Sequence, residues 1–256
     1  MIDQTQHPIE SLFAAMKAVA PYPDGVIPVP GRIPGIAFFP GGAGLWDVRS
    51  GTPLPPMPMG GVMVLGHDFH SETGFRASMD QGTEVPHVAR KGYRTAPTWI
   101  TLRKLFAEVN IPLTRCFFTN VYMGLRKGSG TTGRFPGSRD VEFVERCRAF
   151  LLRQLAAQQP TLVLTLGSWV PAFVAPLAPK LAAWRGVSTM KDIDCINPLM
   201  MGVAFENDSL PPCTVLALTH PSLRGPNVGR RQYGSLNGHA AEIAMLRQAM
   251  VSAGIS

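Results

Sequence analysis

Four segments of the chain are apolar throughout, and stretches of helical periodicity separate them. The apolar runs are 61–66 (Gly-Val-Met-Val-Leu-Gly), 115–120 (Arg-Cys-Phe-Phe-Thr-Asn), 161–167 (Thr-Leu-Val-Leu-Thr-Leu-Gly) and 213–219 (Cys-Thr-Val-Leu-Ala-Leu-Thr). Short runs of this kind predict strands buried on both faces. Helices are predicted over 8–20, with Pro8 in the first turn, over 98–109 after Pro97, and over 140–158. A closing helix is predicted to contain 242–250. In 140–158 the apolar set Val141, Phe143, Val144, Cys147, Phe150, Leu151 and Leu155 follows i, i+3, i+4 spacing. Fully apolar strands alternating with helices imply an α/β protein: a three-layer α/β/α arrangement around a central, mainly parallel four-stranded sheet. The ten prolines between 21 and 58 leave room only for a short strand at 36–39. The apolar content there predicts an ordered covering segment, so 1–60 is expected to belong to the same domain as 61–256. Residues 185–212 read as an addition to that domain.

Composition narrows the class. With 256 residues, 45% of them hydrophobic, and 50 Gly and Pro together, the chain is expected to be globular, as one large domain or two small ones. No apolar run approaches the roughly 18 residues of a membrane span, and the first residues lack the order of a signal peptide. A cytoplasmic protein with no membrane association is expected. Cys116, Cys147, Cys195 and Cys213 are 31, 48 and 18 positions apart. Without a C-x-x-C pair, a zinc ribbon or iron-sulfur cluster is not expected, and all four thiols read as reduced and structural. Neither nucleotide-binding glycine motif occurs, so no cofactor is expected.

The net charge of +7 is unevenly spread. Acidic residues are missing from 85–107, which holds Arg90, Lys91, Arg94, Arg103 and Lys104. They are also missing from 109–139, with Arg115, Arg126, Lys127, Arg134 and Arg139, and from 209–241, with Arg224, Arg230 and Arg231. Lys127 and Arg134 flank Gly128-Ser-Gly-Thr-Thr-Gly133, a loop of small donors suited to following phosphates. Nucleic acid is the expected anionic partner.

Parallel α/β sheets place their sites at the carboxyl ends of the strands. Those ends read Gly66-His-Asp-Phe-His70, Thr119-Asn120, Gly167-Ser168 and Thr219-His-Pro-Ser222. Asp68, Asn120 and His220 are therefore expected to share one crevice. A carboxylate, an amide and an imidazole suit water activation, recognition of a hydrogen-bonding heterocycle, and stabilisation of developing negative charge. Ser168 also reads as a helix cap.

This order resembles the uracil-DNA glycosylase superfamily. Val64-Leu-Gly-His-Asp68 is similar to its G-x-D motif, Phe118-Thr-Asn-Val121 to its base-reading segment, Leu164-Thr-Leu-Gly167 to its third-strand turn, and His220-Pro-Ser-Leu-Arg224 to its H-P-S loop. The resemblance spans about 60–250. It implies a monofunctional glycosylase that removes uracil or a related deaminated base from single-stranded or mismatched DNA, acting as a monomer. Asp68 would position water or stabilise the oxocarbenium-like sugar, Asn120 would pair with the base edge, and His220 would bind the oxygen of the departing base. Leu223 would wedge into the duplex, and Arg224 would hold a flanking phosphate, with Ser168, Ser222, Lys127, Arg134 and Arg230 also facing DNA. The base would stack on Phe75, or failing that on Phe69. His70 stands where one branch of the family carries the Tyr that excludes thymine's methyl group.

Two other readings compete. His67, Asp68, His70 and Glu72 crowd one loop, as a metal-dependent hydrolase would require, although His-x-x-His outside a helix is poor ligand geometry. A nucleic-acid-binding relative that kept the fold without its chemistry is the other.

Overall fold

The computed structural model of the chain describes residues 7–33, 36–46, 53–80, 96–207 and 209–255, with backbone only for 77–80. Its elements begin with α1 (Pro8–Ala15), β1 (Val26–Ile27), β2 (Val62–Gly66), α2 (Glu72–Asp80), α3 (Pro97–Glu108), β3 (Cys116–Asn120) and β4 (Leu125–Arg126). There follow α4 (Val141–Gln158), β5 (Leu162–Leu166), α5 (Trp169–Val174), α6 (Met190–Ile196), β6 (Leu199–Val203) and β7 (Cys213–Leu218). The chain closes with α7 (Arg224–Asn227), β8 (Gln232–Tyr233), β9 (Leu236–Asn237) and α8 (Gly238–Ser252). Among the described residues, no helix is long and apolar enough to cross a membrane.

The four apolar runs form the centre of the sheet, whose strand order is β3-β2-β5-β7-β6. The first four strands run parallel, with Gly66 opposite Asn120 and Leu166 opposite Leu218. Side-chain alternation then sorts each strand between two cores. Met63, Leu65, Phe117, Val163, Val215 and Ala217 pack with residues of α1, α4 and α5. Val62, Val64, Cys116, Phe118, Leu164 and Leu216 pack with α3 and α8 on the opposite face. Burial on both faces is what makes the strands apolar throughout.

The sheet has five strands where four were expected. The fifth, β6, pairs antiparallel with β7 and lies inside the segment read as an addition. Its alternation is hidden in the sequence because it is an edge strand: Leu199 and Val203 are buried, Met201 and Gly202 are exposed, and the register shifts in between. Lys180 covers this edge, donating from Nζ to the carbonyls of Met201 (2.8 Å) and Gly202 (3.1 Å).

The strand expected at 36–39 is reduced to isolated bridges, Phe39 to Thr119 and Leu45 to Phe117. Pro40 ends any ladder there, and the chain crosses the β3 edge instead of running along it. The first helix is also shorter, turning into a 3-10 segment at Met16–Val19. Ile9, Leu12 and Val19 nevertheless join the core, as do Val26, Val29, Phe39, Leu45 and Met57 of the proline-rich segment. The helix expected from 140 has its cap at Asp140, whose Oδ1 accepts the Phe143 N–H at 2.8 Å. Cys116, Cys147 and Cys213 are buried free thiols, and burial pushes Cys147 and Cys213 up to about 12; Cys195 is free but exposed.

A buried ion network ties the end of β7 to α6 and α8. Fully buried Arg231 donates to Asp194 Oδ2 (2.9 Å), Glu242 Oε1 (2.8 Å) and the Ala217 carbonyl (2.9 Å). Glu242 Oε1 also accepts the Thr219 N–H at 2.6 Å. Removing one partner of such a cluster strands the others as uncompensated buried charges. Arg231→Met should therefore cost about 3–5 kcal/mol of stability in urea unfolding. A loss below about 1 kcal/mol would show that Asp194 and Glu242 find other partners.

Candidate active site

The parallel register brings Gly66, Asn120, Gly167 and Thr219 to one edge of the sheet, so the loops that follow them meet there. Gly66 makes the close approach possible. A Cβ at this position would lie 2.1 Å from Asn120 Oδ1 and 3.4 Å from Phe38 Cε1. The absent side chain is thus the space in which the Asn120 amide and the Phe38 ring meet. Asn120 is buried as a residue, but its amide makes no hydrogen bond to another described residue and is not among the enclosed polar atoms left without a partner, so it reaches the open side of the site. Gly167 does the same for His220. Its φ is +82°, and a Cβ there would sit 3.1 Å from His220 Cβ.

Asp68 is the most constrained group of the site. Its Oδ2 accepts from His67 Nδ1 at 2.8 Å and from Arg126 Nη2 at 2.8 Å, and its Oδ1 accepts the His70 N–H at 3.0 Å. Burial pushes the carboxyl up, but the hydrogen bonds and charges of His67 and Arg126 outweigh it and hold Asp68 at about 2. Arg126 is itself enclosed. It donates to the carbonyls of Thr132 (3.1 Å), Gly133 (2.8 Å) and Arg134 (3.1 Å), and its guanidinium lies 5.6 Å from the centre of the Phe135 ring. The loop expected to track phosphates is therefore wrapped around an internal cation through its carbonyls. Lys127 and Arg134 remain on its outer surface, with Arg134 Nε donating to Ser138 Oγ at 2.9 Å.

His67 stands between Asp68 and an aromatic wall. Its ring is 5.3 Å from Tyr122, 6.3 Å from Phe135 and 5.8 Å from Trp169, centre to centre. Trp169 is 48% exposed at the mouth of the site. Across from it, burial pushes the His220 imidazole below its ordinary 6.5; the nearby His67 adds to this and Asp68 opposes it. His220 Nδ1 is 2.8 Å from Ser222 Oγ. The Asp68 charge thus reaches the His220 imidazole, and Asn120 lies against the Gly66 turn that leads into Asp68.

Other expected roles change. Phe69 and Phe75 are buried in the core cluster, so neither presents a face for a base to stack on; Phe38, beside Asn120, does meet the site. His70 adopts φ +82° and lays its ring over Gly74, so it contacts Asp68 through its backbone alone. Ser168 occupies the N-cap position of α5 but forms no capping hydrogen bond. Arg224 is not a rim cation. It is buried, 3.0 Å from Glu242 Oε2, with Nη2 2.7 Å from His239 Nδ1. Ser222 is spent on His220, whereas Leu223, 55% exposed, and Arg230 do face solvent. Arg90, Lys91 and Arg94 lie outside the described residues.

The sequence offers His67 only as a metal ligand of the competing reading and Arg126 only as one cation of an acid-free stretch, and it does not single out Trp169 or Phe38. His67 and Trp169 follow strand ends directly, so the strand-end rule reaches them. Nothing local marks Arg126, whose partner is 58 positions away. As for a metal, no group of three His, Cys, Asp or Glu residues among those described is placed to share an ion, and His67 Nδ1 is committed to Asp68.

No protein-family model matches the chain, and no curated protein matches it in sequence.

Two outcomes test the geometry. Asp68 has a folded value below the ordinary 3.8, so its stabilisation is complete above that pH and is lost as pH falls towards 2. Its share is about 2 kcal/mol. Asp68→Asn should remove this part of the acid-unfolding curve, and an unchanged curve would show that the Arg126 pair does not hold in solution. Gly66→Ala forces the Asn120 amide aside and should cost about 1–3 kcal/mol in urea unfolding. Neutrality there would mean that the amide has room elsewhere.

Proposed function

We propose that the chain is a three-layer α/β/α DNA glycosylase that hydrolyses the N-glycosidic bond of uracil or a related deaminated base. The observation that carries this reading is the gathering of three groups at neighbouring strand ends: the Asn120 amide, which makes no hydrogen bond to another described residue, the His220 imidazole, whose burial favours the neutral form, and the Asp68 carboxylate, held ionised by His67 and Arg126. An amide without a protein partner offers one donor and one acceptor to the polar edge of a base, a pairing worth about 1–3 kcal/mol in discrimination. In this reading Ser222 Oγ, 2.8 Å from His220 Nδ1, is the donor of that pair, and His220 presents Nε2–H to the oxygen where negative charge gathers as the base leaves. Asp68, pinned as an anion, opposes the positive charge that develops on the sugar. In this reading Phe38, beside Gly66, stacks on the base, Leu223 fills its vacancy in the duplex, and Lys127, Arg134 and Arg230 meet phosphates.

One observation favours a second reading. Three hydrogen bonds occupy the Asp68 carboxylate, and a group held at about 2 is a weak proton acceptor. A relative that binds DNA without cutting the glycosidic bond would tolerate this.

A substrate panel separates the two. Single-stranded and duplex DNA carrying uracil, hypoxanthine, xanthine or mismatched thymine is incubated with the protein, and free base is quantified by chromatography. Release of free uracil from single-stranded or U·G DNA is expected, falling about 10²–10³-fold in His220→Ala with binding retained. Binding should weaken steeply with salt. Binding to every substrate with no base released would establish the second reading.

A further inference from the structure

The proposed reaction needs a group that takes a proton from the attacking water, and Asp68 is poorly suited to that role. Its Oδ2 already accepts from Arg126 and His67, and its Oδ1 from the His70 backbone. His67 is differently placed. An ionised carboxylate can only accept, so the proton between the two side chains resides on His67 Nδ1. In the neutral ring that fixes the tautomer and leaves Nε2 as a lone-pair acceptor. Nε2 makes no hydrogen bond to any described residue, and it is not among the buried polar atoms left without a partner, so it reaches the open side of the site.

We propose that His67 is the general base of this site, oriented by Asp68 and Arg126, and that it takes the proton of the water that attacks the sugar. The inference rests on the glycosylase reading given above. The arrangement is a buried carboxylate that holds one imidazole nitrogen so that the other faces the reaction. Here Arg126 fixes the carboxylate in turn, through the carbonyls of Thr132, Gly133 and Arg134. Tyr122, Phe135 and Trp169 wall the ring and confine its rotation.

The step balances without a further reactant. Water attacks C1′ and its proton passes to His67 Nε2. The C1′–N bond breaks and its electron pair leaves with the base, held as an anion by His220. The proton on His67 then neutralises that anion, directly or through solvent. The products are the free base and the abasic sugar hydroxyl, and His67 returns to its starting state. The ionisable groups that face His67 are Asp68, with Arg126 behind it, His220 and Tyr122.

The test is single-turnover base release by the full chain, alongside DNA affinity and thermal melting. His67→Gln keeps a donor for Asp68 but cannot take up a proton. It should lower the release rate roughly 100-fold or more while leaving DNA affinity and melting near those of the parent. It should also abolish the acidic limb of the pH–rate profile. In His67→Ala, added imidazole should restore part of the lost rate. A His67→Gln rate within threefold of the parent, or a loss that imidazole does not relieve and that tracks DNA affinity, would overturn the assignment and return the base role to Asp68. An unsubstituted protein that binds DNA but releases no base would instead overturn the glycosylase reading itself, and the role of His67 with it.

Discussion

The contact between Arg126 and Asp68 joins residues 58 positions apart, and the site is assembled around it. Both side chains are nearly buried, so each would carry a large desolvation cost without the other. The pair offsets that cost because most of its remaining hydrogen-bonding capacity is also used, Arg126 Nε being the one buried donor of the pair left without a partner among the described residues. Three consecutive loop carbonyls close around the guanidinium, and His67 and the His70 amide complete the carboxylate. The pairing of β4 with β1 and the bridge from Ser71 to Arg126 place the cation against the loop that leaves β2. One ion pair thus links the proline-rich cover, the glycine-rich loop and the first strand end. It leaves Asp68 as a fixed charge more than a proton carrier.

The His220 side is built in the same way. Arg231 and Arg224 converge on Glu242, which accepts the Thr219 amide, and Thr219 immediately precedes His220. The imidazole is therefore positioned from beneath by charge and from the side by the Gly167 turn. Each half of the site has a buried arginine tying a strand-end loop to an acid supplied by a distant segment. Such clusters narrow the alternatives open to a loop because any other arrangement would bury a charge unpaired.

These clusters also mark the limit of what the sequence discloses. The α/β class and the positions of the four parallel strands follow from runs such as 161–167, because burial on both faces leaves no room for polar residues. The strand ends follow from the same logic, and with them Asp68, Asn120 and His220. The edge strand β6 does not, since Met201 and Gly202 face solvent and break the apolar run. The charge pattern misleads for a different reason. Stretches 109–139 and 209–241 lack acids in sequence, yet Arg126, Arg224 and Arg231 are neutralised in space by Asp68, Glu242 and Asp194. Three of the arginines that look like a phosphate-binding surface are internal struts, and the rim is left to residues such as Lys127, Arg134 and Arg230. Phe69, in the loop after β2, and Phe75, on α2, are both turned into the core, which takes them away from the stacking role.

Selectivity in the proposed reaction then falls on few groups. The His70 ring lies over Gly74, so it does not fill the role of a side chain that shields the base from a methyl group. What remains is the Asn120 amide above Gly66, with the Phe38 ring beside it. An amide that makes no hydrogen bond to another described residue is left unpaired when a ligand covers it without matching it, and sites of this kind reject analogues that lack the matching donor and acceptor far more strongly than those that merely differ in bulk. A crevice so constructed discriminates by the polar edge of the base. In the proposed reaction it would separate uracil from cytosine, whose edge is reversed at both N3 and the C4 substituent, more sharply than uracil from thymine, whose edge is the same. Exclusion of thymine would then depend on how readily each base leaves the duplex, which favours the weaker pairing of a mismatch.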